Sequence, residues 1–402
     1  MRLLSHPAAL TLALVSTLHQ PTRPLQPTYQ IRFSLMPIHA SPLLLDAPVY
    51  PADRYAPLAD RLKQLFATAS DVVFVQAEAI LALEATASSI ARPGTAALNI
   101  VTSRYGRYFG SWLRRGGTVV HDVFAKSGKP VSIEAVRTAA DRLGHIDIVA
   151  AVHGESSIGA LNPLKGIAAL ARSRDALCVV DAVASVGGHT LDMDSLGIDM
   201  MVIGAQKALA GPPGVSVVAI SDRAWAHIGE TPHVAPSSLS LASIKAAWLD
   251  QGRGALAGTP PPLEFWALEA AIDRVEAEGI ANLIERHQRA SMASRAGLRA
   301  MGIEPYIADD GAASALTTSA PVPPGIDGDA LLESAARFGV ALRRGFGDLD
   351  GRIVLIDHTG VNATFSAVLA ALVAYGSALR SLGAPVDPGK AIDAVYRSIA
   401  GG

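Results

Sequence analysis

Short apolar runs alternate with segments of helical periodicity from residue 41 onward, and this alternation constrains the fold more than any other feature. The apolar runs are DVVFVQ, AALNIV, IDIVAAVHGES, ALCVVDAVAS, DMMVIGAQ and VSVVAIS. Helical segments such as NPLKGIAALARSRD lie between them. Because the runs are apolar throughout rather than alternating in polarity, they are typical of strands covered on both faces. The sequence therefore predicts an α/β fold with a parallel or mixed sheet.

The pattern changes after the last of these strands. A long helical stretch with a break around Gly279 follows, and after it come three short strand candidates and a further long helix. We interpret residues 41–278 as a large α/β domain and residues 279–402 as a smaller α+β domain. Residues 1–40 contain only a short apolar stretch, and we expect them to be a disordered leader or a start codon assigned too early.

The composition excludes several classes of protein. Half of the 402 residues are apolar and 17 % are charged, which is typical of a well-buried globular chain. The net charge of −2 gives no electrostatic reason to expect nucleic acid or an acidic membrane as partner, and no apolar segment is long enough to span a bilayer. The single cysteine, Cys178, excludes an intramolecular disulfide and favours a reducing compartment, so we expect a cytoplasmic protein.

Three polar residues follow predicted strands at the end where ligands bind in a doubly wound sheet. They are Ser156, Asp181 and Lys207. Each alone has a simpler interpretation, since an aspartate after a strand is often a turn former and a lysine there is usually solvated. Together they match a pyridoxal-type cofactor: a lysine forms a Schiff base with an aldehyde, an acid keeps a pyridine nitrogen protonated, and a hydroxyl holds the phenolic oxygen.

The segments HGESSIGALNP, VVDAVASVGG and GAQKALAGPPG carry these three residues. In sequence and spacing they resemble the class V aminotransferases of fold type I, in the alanine–glyoxylate and serine–pyruvate branch. The resemblance extends from about residue 41 to about residue 379. It implies that Lys207 is the Schiff-base lysine, that Asp181 contacts the ring nitrogen and that Ser156 contacts the phenolic oxygen. It also implies a homodimer or a dimer of dimers, because sites in this family draw residues from two chains.

The resemblance assigns further cofactor contacts. Val183 and Tyr105 match the residues packed on the two faces of the cofactor ring, and Gln206 lies near the cofactor's 5′ end. A tyrosine that the partner subunit commonly supplies is replaced by Leu256, whereas Thr259 in the same segment is retained.

The most informative departure from the family is Glu78. It stands in the segment QAEAILALEA, where the family places a phosphate-binding stretch just before a helix. A carboxylate and a phosphate in one pocket repel each other. Glu78 therefore suits the neutral hydroxymethyl group of an unphosphorylated cofactor, and this feature resembles a branch of the family that handles unphosphorylated vitamin B6. The simpler alternative is that Glu78 turns into solvent and that backbone groups alone hold a phosphate.

A second departure concerns the substrate. The arginines with which the family binds a substrate carboxylate are replaced by Leu355 and Phe346, which removes the bidentate partner of an oxo acid. Candidates to replace them are Arg343, Arg344, Arg352, Arg104 and Arg107.

The sequence therefore predicts a pyridoxal-dependent transaminase with a small-molecule amino donor and an oxo-acid acceptor. The first hypothesis is amino transfer between unphosphorylated pyridoxamine and a small oxo acid such as pyruvate. The second is an enzyme that uses pyridoxal 5′-phosphate, either an aminotransferase of the alanine–glyoxylate type or a lyase with a different substrate, for which the loss of the arginines favours a substrate without a carboxylate. The third is a non-catalytic protein that binds vitamin B6. No metal is expected in any of them.

Overall fold

The computed structural model describes residues 47–230 and 237–400. The leader predicted for residues 1–40 lies outside the described residues. The strands are β1 (Asp71–Val75), β2 (Ala96–Val101), β3 (Val119–Phe124), β4 (Ile148–Val152), β5 (Gly154–Glu155), β6 (Ala160–Leu161), β7 (Leu177–Asp181), β8 (Met200–Gly204), β9 (Ser216–Ile220), β10 (Thr317–Pro321), β11 (Arg343–Arg344) and β12 (Ile353–Asp357).

The α-helices are α1 (Tyr55–Leu65), α2 (Ala79–Ile90), α3 (Arg104–Arg115), α4 (Ile133–Arg142), α5 (Leu164–Ser173), α6 (Met193–Leu196), α7 (Asp222–Glu230), α8 (Leu241–Ile244), α9 (Pro262–Glu278), α10 (Ile280–Ala300), α11 (Gly328–Ala336), α12 (Phe365–Ser381) and α13 (Pro388–Ala400). Short 3₁₀ turns cover Ala52–Arg54, Asp310–Ala312, Gly347–Leu349 and Gly360–Asn362, and a π-helical turn, Lys245–Leu249, extends α8.

A seven-stranded sheet has the order β1-β9-β8-β7-β4-β2-β3. Strand β9 runs antiparallel to both of its neighbours, and the other pairs are parallel, so the sheet is mixed. Every residue of β4, β7, β8 and β9 is buried, which explains why these strands are apolar throughout. This confirms the α/β class. The sequence analysis missed β3, a largely exposed edge strand without a continuous apolar run.

The register aligns the carboxyl ends of the central strands. Val152 of β4 pairs with Asp181 of β7, and Asp181 pairs with Val202 of β8. Helix α2 packs against β8 and β9, and α5 packs against β4 and β7. Because β4, β7 and β8 run in the same direction, the loops that follow them meet at one edge of the sheet.

The C-terminal part contains a second, antiparallel sheet with the order β10-β12-β11. Its core is a separate apolar cluster built on α10, α12 and α13. The predicted break is present at Gly279, which has a φ of +82° between α9 and α10. The division into domains at residue 278 stays a prediction. In the described part of the chain, no helix is long and apolar enough to cross a membrane.

Candidate active site

The loops after the central strands enclose a cavity of about 420 Å³. Besides the substrate-arginine candidate Arg104, seven side chains predicted to contact the cofactor line it, and these seven come from segments up to 129 residues apart, from Glu78 to Lys207. Those residues are Glu78, Tyr105, Ser156, Asp181, Val183, Gln206 and Lys207. The structure therefore brings the predicted cofactor contacts together in one place.

Asp181 is the last residue of β7 and is only 8 % exposed. Its Oδ1 accepts a hydrogen bond from the Val183 backbone N–H at 2.9 Å. Burial raises the pKa of Asp181 to about 7, and the bond from Val183 opposes that rise. A buried acid with no cation bonded to it is suited to a ligand that brings a positive charge, and a protonated pyridine nitrogen is such a charge.

Lys207 lies in the loop after β8 and is partly buried. Burial lowers the pKa of its amine, and the positive charge of Arg343 lowers it further. The carboxylates of Asp357, Glu78 and Asp181 oppose this shift. A lysine with a lowered pKa has more neutral amine at a given pH, which is the form that attacks an aldehyde.

Glu78 precedes α2 and caps its N-terminus. Its Oε2 accepts a hydrogen bond from the Ile80 backbone N–H at 2.8 Å, and its Oε1 accepts one from Gln206 Nε2 at 2.7 Å. The other amide atom of Gln206, Oε1, is buried without a partner. The carboxylate therefore occupies a helix N–H that would otherwise be available to an anion, and this end of the cavity is rich in acceptors.

Tyr105 and Val183 give the cavity an aromatic and an aliphatic wall. Tyr105 is in the first turn of α3, where the preceding strand β2 delivers it to the cavity edge. Val183 is fixed by its backbone bond to Asp181. Such walls suit a planar ring, so these residues fit the contacts that the resemblance implies.

Ser156 lies in the turn between β5 and β6 and is 7 % exposed. Its carbonyl oxygen accepts a hydrogen bond from Arg343 Nη2 at 3.3 Å. Arg343 also forms a two-bond ion pair with Asp357, in which Nη2 donates to Oδ1 at 2.7 Å. In the register of the small sheet, Arg343 lies directly opposite Leu355. Arg343 therefore connects this sheet to the Ser156 turn, and its charge is already paired.

Five predicted residues are not among those that line the cavity: Arg107, Arg343, Arg344, Arg352 and Thr259. Arg344 follows Arg343 on β11, so its side chain points to the other face, where it pairs with Asp329 and, at 3.3 Å, with Asp350. Arg352 is exposed in the turn before β12. Thr259 is exposed in the loop before α9.

Arg104 and Phe346 form a contact that the sequence did not predict. The Arg104 guanidinium lies 4.2 Å from the ring centroid of Phe346 and 5.0 Å from that of Tyr105. Arg104 lines the cavity, and its Nε is buried without a partner. In the sequence, only the position of Arg104 next to Tyr105 indicated a role in the site. The contact with Phe346 could not be predicted, because the two residues are more than two hundred positions apart.

Two glycines allow backbone segments to touch around the site. A Cβ on Gly154 would lie 2.2 Å from the Ala184 carbonyl oxygen. Gly360 has a φ of +61°, and a Cβ there would lie 2.9 Å from the Lys207 carbonyl oxygen. Gly360 is held from the other side by α10, because its N–H donates to His287 Nε2 at 2.9 Å and its carbonyl accepts from Arg286 Nη1 at 2.8 Å.

The chain belongs to the class V aminotransferase family. The sequence profile described as "Aminotransferase class-V" matches residues 54–365. The fold and the cavity agree with this assignment. The protein is an aminotransferase of the fold type I architecture, and the family implies a pyridoxal-type cofactor and small-molecule amino donors and acceptors.

Particular relatives narrow the comparison. The chain is 32 % identical over 348 residues to pyridoxamine–pyruvate transaminase of Mesorhizobium japonicum, covering 86 % of this chain and 88 % of that protein. It is 30 % identical over 287 residues to alanine–glyoxylate aminotransferase of Callithrix jacchus, covering 70 % of this chain and 69 % of that protein. The crystal structure of pyridoxamine–pyruvate aminotransferase from Mesorhizobium loti superposes with a TM-score of 0.84 at 30 % identity, covering 89 % of this chain and 93 % of that one.

Proposed function

We propose that this aminotransferase uses unphosphorylated vitamin B6, with pyridoxamine as amino donor and a small oxo acid such as pyruvate as acceptor. The observation that carries the proposal is the pair of hydrogen bonds to Glu78, from Ile80 N–H and from Gln206 Nε2. The similarity to pyridoxamine–pyruvate transaminase supports it.

The charge at Glu78 discriminates between the two forms of the cofactor. A phosphate at a helix N-terminus needs free backbone N–H groups, and here the Ile80 N–H already donates to a carboxylate. A dianionic phosphate beside that carboxylate is repelled, because two neighbouring negative charges make the ionised form of each group less favourable. A hydroxymethyl group has no charge and can donate a hydrogen bond to the carboxylate, and such charge-assisted bonds are among the stronger ones.

The residues around the cavity can perform amino transfer. A bound pyridoxal-type group supplies a ring that takes up the electron pair released at the reacting carbon. Asp181 would contact the ring nitrogen and keep it in its protonated form. Lys207 Nζ would hold the group covalently and, when free, accept and return a proton, because burial and Arg343 lower its pKa. Tyr105 and Val183 orient the ring, and Ser156 offers a hydroxyl to its phenolic oxygen.

A second candidate is an aminotransferase of the alanine–glyoxylate type, or a lyase, that uses pyridoxal 5′-phosphate. The 30 % identity to alanine–glyoxylate aminotransferase favours the aminotransferase form of this candidate. The buried Leu355 leaves β12 without an arginine for a substrate carboxylate, which favours the form with a non-carboxylate substrate. A non-catalytic protein that binds vitamin B6 is the third candidate, and it predicts trapping of pyridoxal on Lys207 without amino transfer.

Cofactor identification separates these candidates. The group released by acid from the purified protein is identified by mass spectrometry, and pyridoxal formation is followed with pyridoxamine and a panel of small oxo acids. We expect turnover with pyridoxamine and weak retention of pyridoxal 5′-phosphate. Tight retention of the phosphate form, without turnover of pyridoxamine by any oxo acid, would reject the proposal. Borohydride reduction and peptide mapping should place the trapped group on Lys207, and Lys207→Met should abolish the visible absorption.

We further propose that the enzyme is a cytoplasmic homodimer or dimer of dimers. The exposed Thr259 loop, which the resemblance assigns to a partner's site, supports the assembly. The buried, unpaired thiol of Cys178 supports a reducing compartment. Light scattering coupled to size-exclusion chromatography tests the assembly, and limited proteolysis around residue 278 tests the division into two domains.

A further inference from the structure

We propose that Arg104 binds the carboxylate of the amino acceptor and that Phe346 orients it for this role. The inference rests on the proposed function, because it concerns the oxo acid that accepts the amino group. It assigns a specificity-determining contact to the first turn of α3, in place of an arginine on β12.

The Arg104 guanidinium has hydrogen-bond donors that are not satisfied within the part of the chain that the structure describes. Arg104 is the one arginine among the described residues that line the cavity, and none of the described residues hydrogen-bonds to its buried Nε. Its hydrogen bond from Nη2 to the Tyr105 hydroxyl is long, at 3.4 Å. A buried N–H without a partner costs free energy, which a carboxylate ligand would recover. Arginine presents its N–H groups in a planar fork that matches a carboxylate.

Two aromatic rings orient the Arg104 guanidinium. The guanidinium lies 4.2 Å from the Phe346 ring centroid and 5.0 Å from the Tyr105 ring centroid. Cation–π contacts at these distances hold the group without using its N–H donors. The long side chain is therefore ordered before the acceptor arrives, which reduces the entropy lost on binding.

Two neighbouring charged side chains, Arg343 and Glu155, do not compete with Arg104 for a carboxylate ligand or neutralise it through an ion pair. Arg343, the other arginine beside Lys207, is paired with Asp357 and bonded to the Ser156 carbonyl, so it has less capacity for a ligand. Glu155 is the acid that the charge of Arg104 affects, but no ion pair or hydrogen bond joins these two side chains in the described structure. Burial raises the pKa of Glu155, which favours its uncharged form. Among the described residues, no acid forms an ion pair with Arg104, so its guanidinium is available to a carboxylate ligand.

A single unpaired guanidinium fits one carboxylate. We therefore infer that the acceptor is a monocarboxylic oxo acid and that oxo acids with a second carboxylate are poor substrates. A second anionic group in the cavity would face Glu78 or would have to break the Arg343–Asp357 ion pair.

The test separates acceptor binding from donor binding. In Arg104→Gln, we expect the KM for pyruvate to rise about 10- to 100-fold, the range of a lost charge-assisted hydrogen bond. The KM for pyridoxamine should change less than threefold. Arg104→Lys should be intermediate, and Phe346→Leu should raise the KM for pyruvate by a smaller factor. Arg115→Gln, on the same helix but ion-paired with Glu84 at the surface, is the matched control.

A binding readout keeps the inference independent of turnover. Propanoate has the carboxylate of pyruvate but no oxo group, so it should stabilise the cofactor-loaded wild type against heat and should not stabilise Arg104→Gln. If propanoate stabilises both proteins equally, or if Arg343→Gln and not Arg104→Gln raises the KM for pyruvate, the inference is wrong. If the wild type does not use pyridoxamine but propanoate binding still depends on Arg104, the proposed donor fails and the assignment of Arg104 stands.

Discussion

Glu78 and Gln206 are joined by a hydrogen bond of 2.7 Å, from the amide nitrogen to one carboxylate oxygen, while the other oxygen caps α2 through Ile80. Both carboxylate oxygens are thus engaged before any ligand arrives. Glu78 is fixed at the end of the cavity where the resemblance of this chain to the class V aminotransferases places the cofactor's 5′ group. We therefore expect its negative charge to favour unphosphorylated over phosphorylated vitamin B6.

Glu78→Gln should shift this selectivity. The variant keeps a side-chain oxygen for the Ile80 N–H but removes the charge, so the affinity for pyridoxal 5′-phosphate relative to pyridoxal should rise roughly tenfold or more. Fluorescence titration of the cofactor-free protein with both compounds measures the ratio. Glu84→Gln, on the same helix, is the control and should leave the ratio unchanged. An unchanged ratio in Glu78→Gln would show that the charge does not select the cofactor.

The pH dependence of cofactor capture should report on the Arg343–Asp357 pair. Arg343 lowers the pKa of Lys207 and Asp357 raises it. Arg343→Gln should therefore raise the pKa of the Lys207 amine and move the profile for pyridoxal capture to higher pH, whereas Asp357→Asn should move it to lower pH. Stopped-flow absorbance across the pH range measures both shifts.

Arg344→Gln is the control for that experiment, because the side chain lies next in the strand but on the opposite face. Its profile should coincide with that of the wild type. Shifts of equal sign in Arg343→Gln and Asp357→Asn would contradict the electrostatic explanation and point to a change in local packing.

Asp181→Asn should stabilise the cofactor-free protein while abolishing catalysis. Burial raises the pKa of Asp181 to about 7, well above its value of about 3.9 in an unfolded chain. The native state therefore binds this proton more tightly, and its stability falls as the pH rises from about 4 to about 7. The gain in Asp181→Asn should be present above pH 7, reach up to about 4 kcal/mol, and vanish near pH 4.

Urea unfolding of both proteins at several pH values tests this prediction. Asparagine can still accept the Val183 N–H bond, so the comparison isolates the charge. A variant that is less stable than the wild type at pH 8 would refute it.

Three buried histidines and one partly buried histidine should make the fold sensitive to acid. Burial lowers the pKa of His153 to about 3 and those of His189 and His358 to about 4, and it also lowers the pKa of His287. Their unfolded pKa is about 6.5, so the unfolded chain takes up these protons first as the pH falls. Stability should be complete above about pH 6.5 and decrease below it, by up to about 1.4 kcal/mol per pH unit for each histidine.

His153→Phe should reduce this slope, because it keeps an aromatic ring and removes one proton-binding group. His145→Gln should not, since that imidazole is 76 % exposed. Denaturant unfolding between pH 5 and pH 8 gives the slopes, and equal slopes in the wild type and His153→Phe would contradict the assignment.

The sequence was sufficient to predict the residues whose position depends on strand order. Asp181 and Lys207 follow continuous apolar strands, and parallel strands bring their carboxyl ends together, so their meeting could be inferred without coordinates. Contacts between side chains of different segments far apart in the sequence could not be inferred in this way. The pairing of Arg343 with Asp357, and the stacking of Arg104 on Phe346, depend on how the small sheet packs beside the cavity. Arg343 and Arg344 were equivalent in sequence, and only the register of β11 separates their directions.

Because Gly360 has no side chain, its backbone can lie between the Lys207 loop and helix α10 and contact both. Its backbone touches the carbonyl of Lys207 on one side and is bonded to Arg286 and His287 of α10 on the other. The side chains of Arg286 and His287 therefore connect that long helix to a glycine that lies against the Lys207 peptide. We therefore expect the position of α10 to be coupled to that of the Lys207 peptide, and through it to the amine that we propose carries out the chemistry.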